Sequence, residues 1–448
     1  MKWGACLILY TSLSTLVPVA KAFFSHSPTG SVVVAGVVRR TIRSRAAAIT
    51  LSTRSCHREE EASMTRTAQI IPASTEGLQE AGQVLRSGGL VAFPTETVYG
   101  LGANALNEAA VMSIFEAKGR PLTDPLIVHI ADDASAECII DINSTETLQL
   151  FRHLAAQFWP GPLTLIVRAC SSLPLCVTAS TGFVGVRCPN HPIALGLLKA
   201  AAVPVCAPSA NRFGHVSPTS AAHVLDDLGS QPIAVLDDSK GEGVVESHAP
   251  AQDSSSTCCI GIESTVARLE SDCITILRPG AVTMVDLEAS LSKAFPEVKV
   301  TTRQLKGGHQ ETPEERKCSE EQPQEAPGQL LRHYAPDVDT VCITTAAGYT
   351  PSPEMVQSMA TKCVVLDFAR QLHWLKGASL AYRDLSEDGS ASEAAAVLFE
   401  SLRWAENVSG VTRILVARCP EDSSSDSLAA AVNDRIGRAT NGLTEHYQ

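Results

Sequence analysis

The stretch "STEGLQEAGQVLRSGGLVAFPTETVYGLGANA", Ser74 to Ala105, decides how the chain is read. Ser74 or Thr75 supplies a hydroxyl N-cap, and Gly88 stands just past the last helical turn, so the first half predicts a helix. "LVAF" is a short apolar run of the kind that forms a buried strand. The turn after it is too polar for a plain reversal of direction: two threonines, a glutamate and a tyrosine, then two glycines. Side chains with that much hydrogen-bonding capacity, placed directly after a buried strand, suit the floor of a small-molecule site.

The same alternation continues outward. "NEAAVMSIFEAKG" places Val111, Ile114, Phe115 and Lys118 at helical spacing, so Lys118 closes an apolar face beside the next loop. Further strands are expected at "LIVHI" (126–130), "LTLIV" (163–167), "FVGVR" (183–187), "VPVC" (203–206), "TVARL" (265–269) and "ITILR" (274–278). Short strands alternating with helices indicate an α/β or α+β domain over 68–300. Residues 239–259 are small and polar and predict a surface insertion, and the charged, Pro- and Gly-containing run 305–328 predicts a linker. Within a linker region of 301–336, "QLLRHYAP" leads into residues 337–448. There "TVCITTA", "CVVLDFA", "ILVAR" and a helix around "SLAAAVNDRIGRAT" describe a smaller α/β unit.

The net charge of −12 is unevenly spread. The first 56 residues hold Lys2, Lys21, Arg39, Arg40, Arg43, Arg45 and Arg54, and no acid precedes Glu59. Without those seven positive charges the remainder stands at about −19, which disfavours stable binding to nucleic acid. Residues 1–60 read as a targeting presequence. An apolar segment behind Lys2 ends in Ala20-Lys21-Ala22, and Phe23-Phe24 begins an Arg/Ser-rich, acid-free stretch. A signal peptide joined to a transit peptide resembles the bipartite plastid presequence of algae with secondary plastids; an ordinary secretory signal, a mitochondrial presequence and a cytoplasmic protein stay open. The apolar segment is short and rich in Ser and Thr, so no membrane span is expected in the mature form. Fourteen cysteines lie scattered, several in apolar strands and none in a C-x-x-C pair, which fits reduced thiols rather than a zinc site.

Four basic side chains fall where regular elements give way to loops: Lys118 and Arg120 in "KGRP", Arg187 in "VRCP" and Arg278 in "LRPG". In an acidic chain they suggest a focused site for a polyanion. In "APSANRFGHVSPTSAAHV", Ser209 and Asn211 add neutral donors, and Ser217 followed by Pro218 is expected to cap a helix whose free N–H groups face the loop. Strand alternation in "LIVHI" sets Leu126, Val128 and Ile130 on one face and Ile127 and His129 on the other. "GIESTV" presents Ser264 before a strand. No P-loop and no G-x-G-x-x-G is present.

Taken in order, "PTETVYGLG", "KGRPLTDPLIVHI", "FWPGPLTLIV", "VGVRCPNHP", "APSANRFGHVSPT", "GIESTV" and "RPG" resemble the YrdC-like family of threonylcarbamoyl-AMP synthases, and "RHYAP" resembles the linker of its long, two-domain form. The resemblance spans roughly 68–448. It implies an α/β fold with a YrdC-like twisted mixed sheet, helices forming a concave site, and a smaller Rossmann-like C-terminal domain. It implies L-threonine, bicarbonate and ATP, with Mg2+, as substrates, and a downstream tRNA threonylcarbamoyl transferase as partner. Carried over by position, the ATP contacts are Lys118, Arg120, Asp124, Ser209, Asn211, Ser217, Arg278, His333 and Tyr334, with Lys118 and Arg120 the catalytic pair and no fixed protein ligand for the metal. The threonine contacts are Thr97, His129, Arg187, Ser264 and the backbone around Ala207. Asp124 stands where the family usually has Asn, placing a carboxylate near the proposed phosphates; Phe183 replaces a common Thr; and 239–259 lengthens the approach to "GIESTV". Two other readings compete: a carbamoyl-adenylate-forming enzyme of the hydrogenase-maturation kind, and an RNA-binding module on the same fold.

Overall fold

Alternating apolar segments and capped helices assemble into two sheets. The computed structural model describes residues 68–237, 258–303, 322–328, 333–346, 349, 351–420 and 428–447. The expected presequence, most of the 239–259 insertion and most of the 305–328 linker lie outside the described residues.

The first sheet takes its strands from β1 (Gln69–Pro72), β2 (Leu90–Phe93), β3 (Gly100–Asn104), β4 (Ile127–His129), β5 (Leu163–Arg168) and β6 (Phe183–Arg187). It is completed by β7 (Val205–Cys206), β8 (Ile233–Asp237), β9 (Thr265–Leu269), β10 (Cys273–Arg278) and β11 (Lys299–Thr302). The order is β1-β8-β2-β3-β7-β4-β6-β5-β9-β10-β11, with parallel and antiparallel pairs mixed. Ser74 caps the helix Thr75–Arg86, accepting from the Gly77 N–H, and Asn107 caps the helix Glu108–Lys118. Leu126, Val128 and Ile130 enter the main core, while Ile127 and His129 face the other way. The glycines after the polar turn are needed for close packing: a Cβ on Gly102 would stand 2.8 Å from Val205 and 2.9 Å from Phe93.

The second sheet is parallel throughout, in the order β14 (Ala381–Asp384), β13 (Cys363–Asp367), β15 (Arg413–Ala417), β12 (Asp339–Thr345), β16 (Thr444–Tyr447). Its central strands β13 and β15 read as continuous apolar runs because helices cover them. The core of this sheet also takes in Val98, Val216, Ile262 and Tyr334, so loops of the first sheet are packed into the second. Gly261, at φ +73°, is pressed against the helix Ala391–Glu406, where a Cβ would stand 2.4 Å from the Ala395 carbonyl oxygen.

One expectation is corrected. The helix after "SAN" begins at Ala221 with Ser220 as its cap, not at Ser217. The Pro218 carbonyl already accepts the Tyr99 N–H at 2.9 Å, which holds Ser217 and Pro218 in the loop. Among the described residues no helix is long and apolar enough to cross a membrane.

Candidate active site

Parallel pairing of β4 with β6 sets His129 opposite Arg187, and the antiparallel β7 brings Ala207 to the start of β4, where its N–H donates to the Ile127 carbonyl at 2.9 Å. An isolated bridge between Gly100 and Ser209 ties the polar turn to the "SAN" loop. These strand ends surround a cleft. All five expected threonine contacts line it: Thr97, His129, Arg187, Ala207 and Ser264. So do Arg120, Ser209, Arg278, His333 and Tyr334 from the expected ATP set. Lys118, Asp124, Asn211 and Ser217 stand behind this lining and shape it.

The polar turn divides its work. Thr95 Oγ1 donates to the Val98 carbonyl at 2.7 Å and fixes the turn. Thr97 Oγ1 accepts from the Arg187 guanidinium at 2.9 Å, and Glu96 forms a buried ion pair with the same guanidinium at 2.8 Å. Tyr99, fully buried, belongs to the core. Burial, followed by the nearby Arg187, lowers His129 to about 3, so its imidazole is neutral at physiological pH. Among the described residues, His129 Nδ1 and His333 Nδ1 are buried with no hydrogen-bond partner. Unsatisfied polar atoms beside a cleft are what a polar ligand completes.

The cations of the expected ATP set are pinned. Lys118 Nζ donates to the Ser209 carbonyl at 2.7 Å and to the Asn211 carbonyl, which locks the "SAN" loop; burial, then Arg120, pushes this ammonium well below its ordinary value. Arg120 donates to the Asp124 and Pro125 carbonyls and pairs with the Asp124 carboxylate at 3.0 Å. Asp124 is therefore no loose charge facing a phosphate. Burial raises its carboxyl above the ordinary range and Arg120 opposes that rise. Arg278 donates to the Ser264 carbonyl at 3.0 Å and to Ser264 Oγ at 3.2 Å, and Ser264 Oγ meets Thr164 Oγ1 at 2.8 Å. His333 packs edge-on to Tyr334, with ring centres 4.2 Å apart, and Phe213 lies on its other side. Phe183 does not line the cavity; the Arg268 guanidinium covers its ring.

Residues 83–248 match the Sua5/YciO/YrdC family, described as telomere recombination, and residues 282–441 match the family described as threonylcarbamoyl-AMP synthase, C-terminal domain. The threonylcarbamoyl-AMP synthase of Bacillus subtilis is 37% identical over 284 residues, which are 63% of this chain and 69% of that one. The one from Pyrococcus abyssi is 38% identical over 263 residues, 59% of this chain and 66% of its own length. The crystal structure of P. abyssi Sua5 complexed with L-threonine matches with a TM-score of 0.66 at 30% identity, covering 85% of this chain and 99% of that one. The chain belongs to the threonylcarbamoyl-AMP synthase family.

As a member of this adenylyl-transferring family, the chain carries three buried charges that the sequence motifs did not single out. Glu96 holds Arg187. Glu263 accepts from Ser217 Oγ at 2.5 Å. Arg435, from the helix Leu428–Ala439, reaches Glu263 at 2.9 Å. Glu96 and Glu263 stand inside quoted motifs, but only the folded chain shows that each binds an arginine. Arg435 sits on a helix whose spacing says nothing about a partner 172 residues away.

Proposed function

We propose that this protein joins L-threonine, bicarbonate and ATP into threonylcarbamoyl-AMP and pyrophosphate, and that the product is used by a tRNA threonylcarbamoyl transferase to modify adenosine beside the anticodon. The observation that carries the reading is a single cleft lined both by Thr97, His129, Arg187 and Ser264 and by Arg120, Ser209 and Arg278. The threonine amine attacks carbon dioxide and gives up a proton to form a carbamate, or attacks bicarbonate with a carbon–oxygen bond breaking and water leaving. A carbamate oxygen then bonds to the α-phosphorus of ATP as the bond to the pyrophosphate oxygen breaks.

Arg187 is suited to the amino-acid carboxylate, because Glu96 and Thr97 fix its direction. Neutral His129 offers a polar contact without adding charge beside the amine that must react. Arg120 and Arg278, anchored on backbone carbonyls, present fixed positive charge to the triphosphate, and catalysis comes from orientation and electrostatics rather than from a covalent nucleophile. Magnesium supplies further neutralisation of the phosphates when bound. Among the described residues no group of three or more His, Cys, Asp or Glu is placed to hold a metal, and Asp124 is occupied by Arg120, so the fit is to an ion carried by ATP.

Residues 1–60 would direct the chain to a plastid and be removed there. The acidic remainder weighs against an RNA-binding role, and weak salt dependence of any RNA association would weigh further. Incubation with ATP, magnesium and bicarbonate, with and without L-threonine, tests the reading through pyrophosphate release. Release that requires both threonine and bicarbonate is the expected result; release indifferent to threonine would defeat it.

A further inference from the structure

The second sheet does more than rest against the cleft. From the helix Leu428–Ala439 the fully buried Arg435 reaches into the "GIESTV" turn and the "RPG" turn together. Its Nε donates to the Glu263 carboxylate at 2.9 Å, its Nη2 to the Glu263 carbonyl at 3.3 Å, and its Nη1 to the Pro279 carbonyl at 2.9 Å. Asp434, itself held by Arg438, takes a further Nη1 hydrogen bond at 2.8 Å. The other oxygen of Glu263 accepts from Ser217 at 2.5 Å. The two residues next to these contacts are Ser264 and Arg278, which line the cleft and bond each other. The same guanidinium lies 5.5 Å from the ring centre of Tyr334, which also lines the cleft.

On the premise that the protein is a threonylcarbamoyl-AMP synthase, we propose that Arg435 is a positioning residue for the nucleotide contacts of the cleft, Arg278 above all. It neutralises Glu263 and clamps the two turns that present Ser264 and Arg278, so the C-terminal domain completes the catalytic one. Without Arg435, Glu263 becomes an uncompensated carboxylate beside the phosphates. A lysine cannot replace the fork, because its single ammonium cannot reach two carbonyls and a carboxylate in that planar arrangement.

The full chain with Arg435→Met, Arg435→Lys, and Arg435→Met combined with Glu263→Gln tests this. Affinity for a non-hydrolysable ATP analogue and for L-threonine is measured separately by calorimetry, KM and kcat are measured by turnover, and melting curves report folding. We expect analogue affinity to fall at least about 30-fold in Arg435→Met and measurably in Arg435→Lys, while threonine affinity falls clearly less, by about fivefold at most, because Ser264 is its one contact on a clamped turn. Adding Glu263→Gln should restore most of the loss, because the repelling charge is gone. Equal nucleotide affinity in wild type and Arg435→Lys would overturn the positioning role, and so would threonine and nucleotide affinity falling together without rescue, the mark of a merely structural contact. A wild type that binds threonine but no nucleotide would overturn the synthase reading and this inference with it.

Discussion

Replacing Arg187 with Met should separate binding from stability. In the folded chain this guanidinium is 2.8 Å from the Glu96 carboxylate, with both side chains 5% exposed, and it donates to Thr97 at 2.9 Å. The substitution causes two losses of different kind. Glu96 is left as a buried, unpaired carboxylate, which costs about 3–5 kcal/mol of folding stability. Threonine loses the partner of its own carboxylate, worth about 2–5 kcal/mol when such a pair is truncated in a buried site, or roughly 30-fold to several thousand-fold in affinity. Glu96→Gln removes the first loss and leaves the second. The single variant should melt earlier and bind threonine poorly; the double variant should regain most of its melting temperature and still bind threonine poorly. Calorimetric titration with L-threonine and thermal melts on the same samples decide it. Threonine affinity in the double variant within about threefold of wild type would refute the assignment of Arg187 to the substrate carboxylate.

Lys118→Met removes both hydrogen bonds that Lys118 Nζ gives the "SAN" loop, so ATP-dependent turnover should fall by roughly 100-fold while circular dichroism is unchanged; near-normal turnover would remove Lys118 from the nucleotide site. L-valine, which lacks the hydroxyl, should be used at least about 100-fold less efficiently than threonine, measured as kcat/KM for pyrophosphate release, because the polar groups lining the site would be left unpaired. His215 joins Asp227 at 2.8 Å to Glu406 at 3.1 Å across the two domains, with Arg403 and Arg212 on the same aspartate. Burial would lower its pKa, but the hydrogen bonds to Asp227 and Glu406 outweigh burial and raise it above the unfolded value of about 6.5. Its contribution to stability is therefore complete below that pH and is lost as pH rises through the folded pKa. Melts from about pH 6 to 9 should show the gap between wild type and His215→Gln closing with rising pH; a constant gap would contradict the charged pair.

Much of the cleft was legible because its residues lie where a periodic pattern breaks. Arg187 and Arg278 end strands and Lys118 ends a helix, so each could be placed beside a loop from the sequence. His129 could be assigned to the face opposite Val128 by strand alternation alone. Ser217 shows where local rules fail. Ser-Pro is a good helix start, but the Pro218 carbonyl is taken by Tyr99 and the hydroxyl by Glu263, so tertiary partners moved the cap to Ser220. Asp124 read as a liability until its pairing with Arg120 was visible. Arg435 could not be read at all, since a buried arginine on a C-terminal helix has no local signature and its partner is set by how the two sheets meet. Six strands, β1, β3, β8, β11, β14 and β16, were not assigned from the sequence; β3 carries two glycines where only close packing demands them.

Whether one cleft joins threonine, bicarbonate and ATP is decided by tracing the carbon. The full chain is given ATP, magnesium, L-threonine and 13C-labelled bicarbonate, and the adenylate fraction is resolved by mass spectrometry. The predicted product is threonylcarbamoyl-AMP carrying the label in its carbamoyl carbon, formed together with pyrophosphate. Threonyl-AMP without the label, or pyrophosphate released with no threonine in the adenylate, would contradict the proposed reaction.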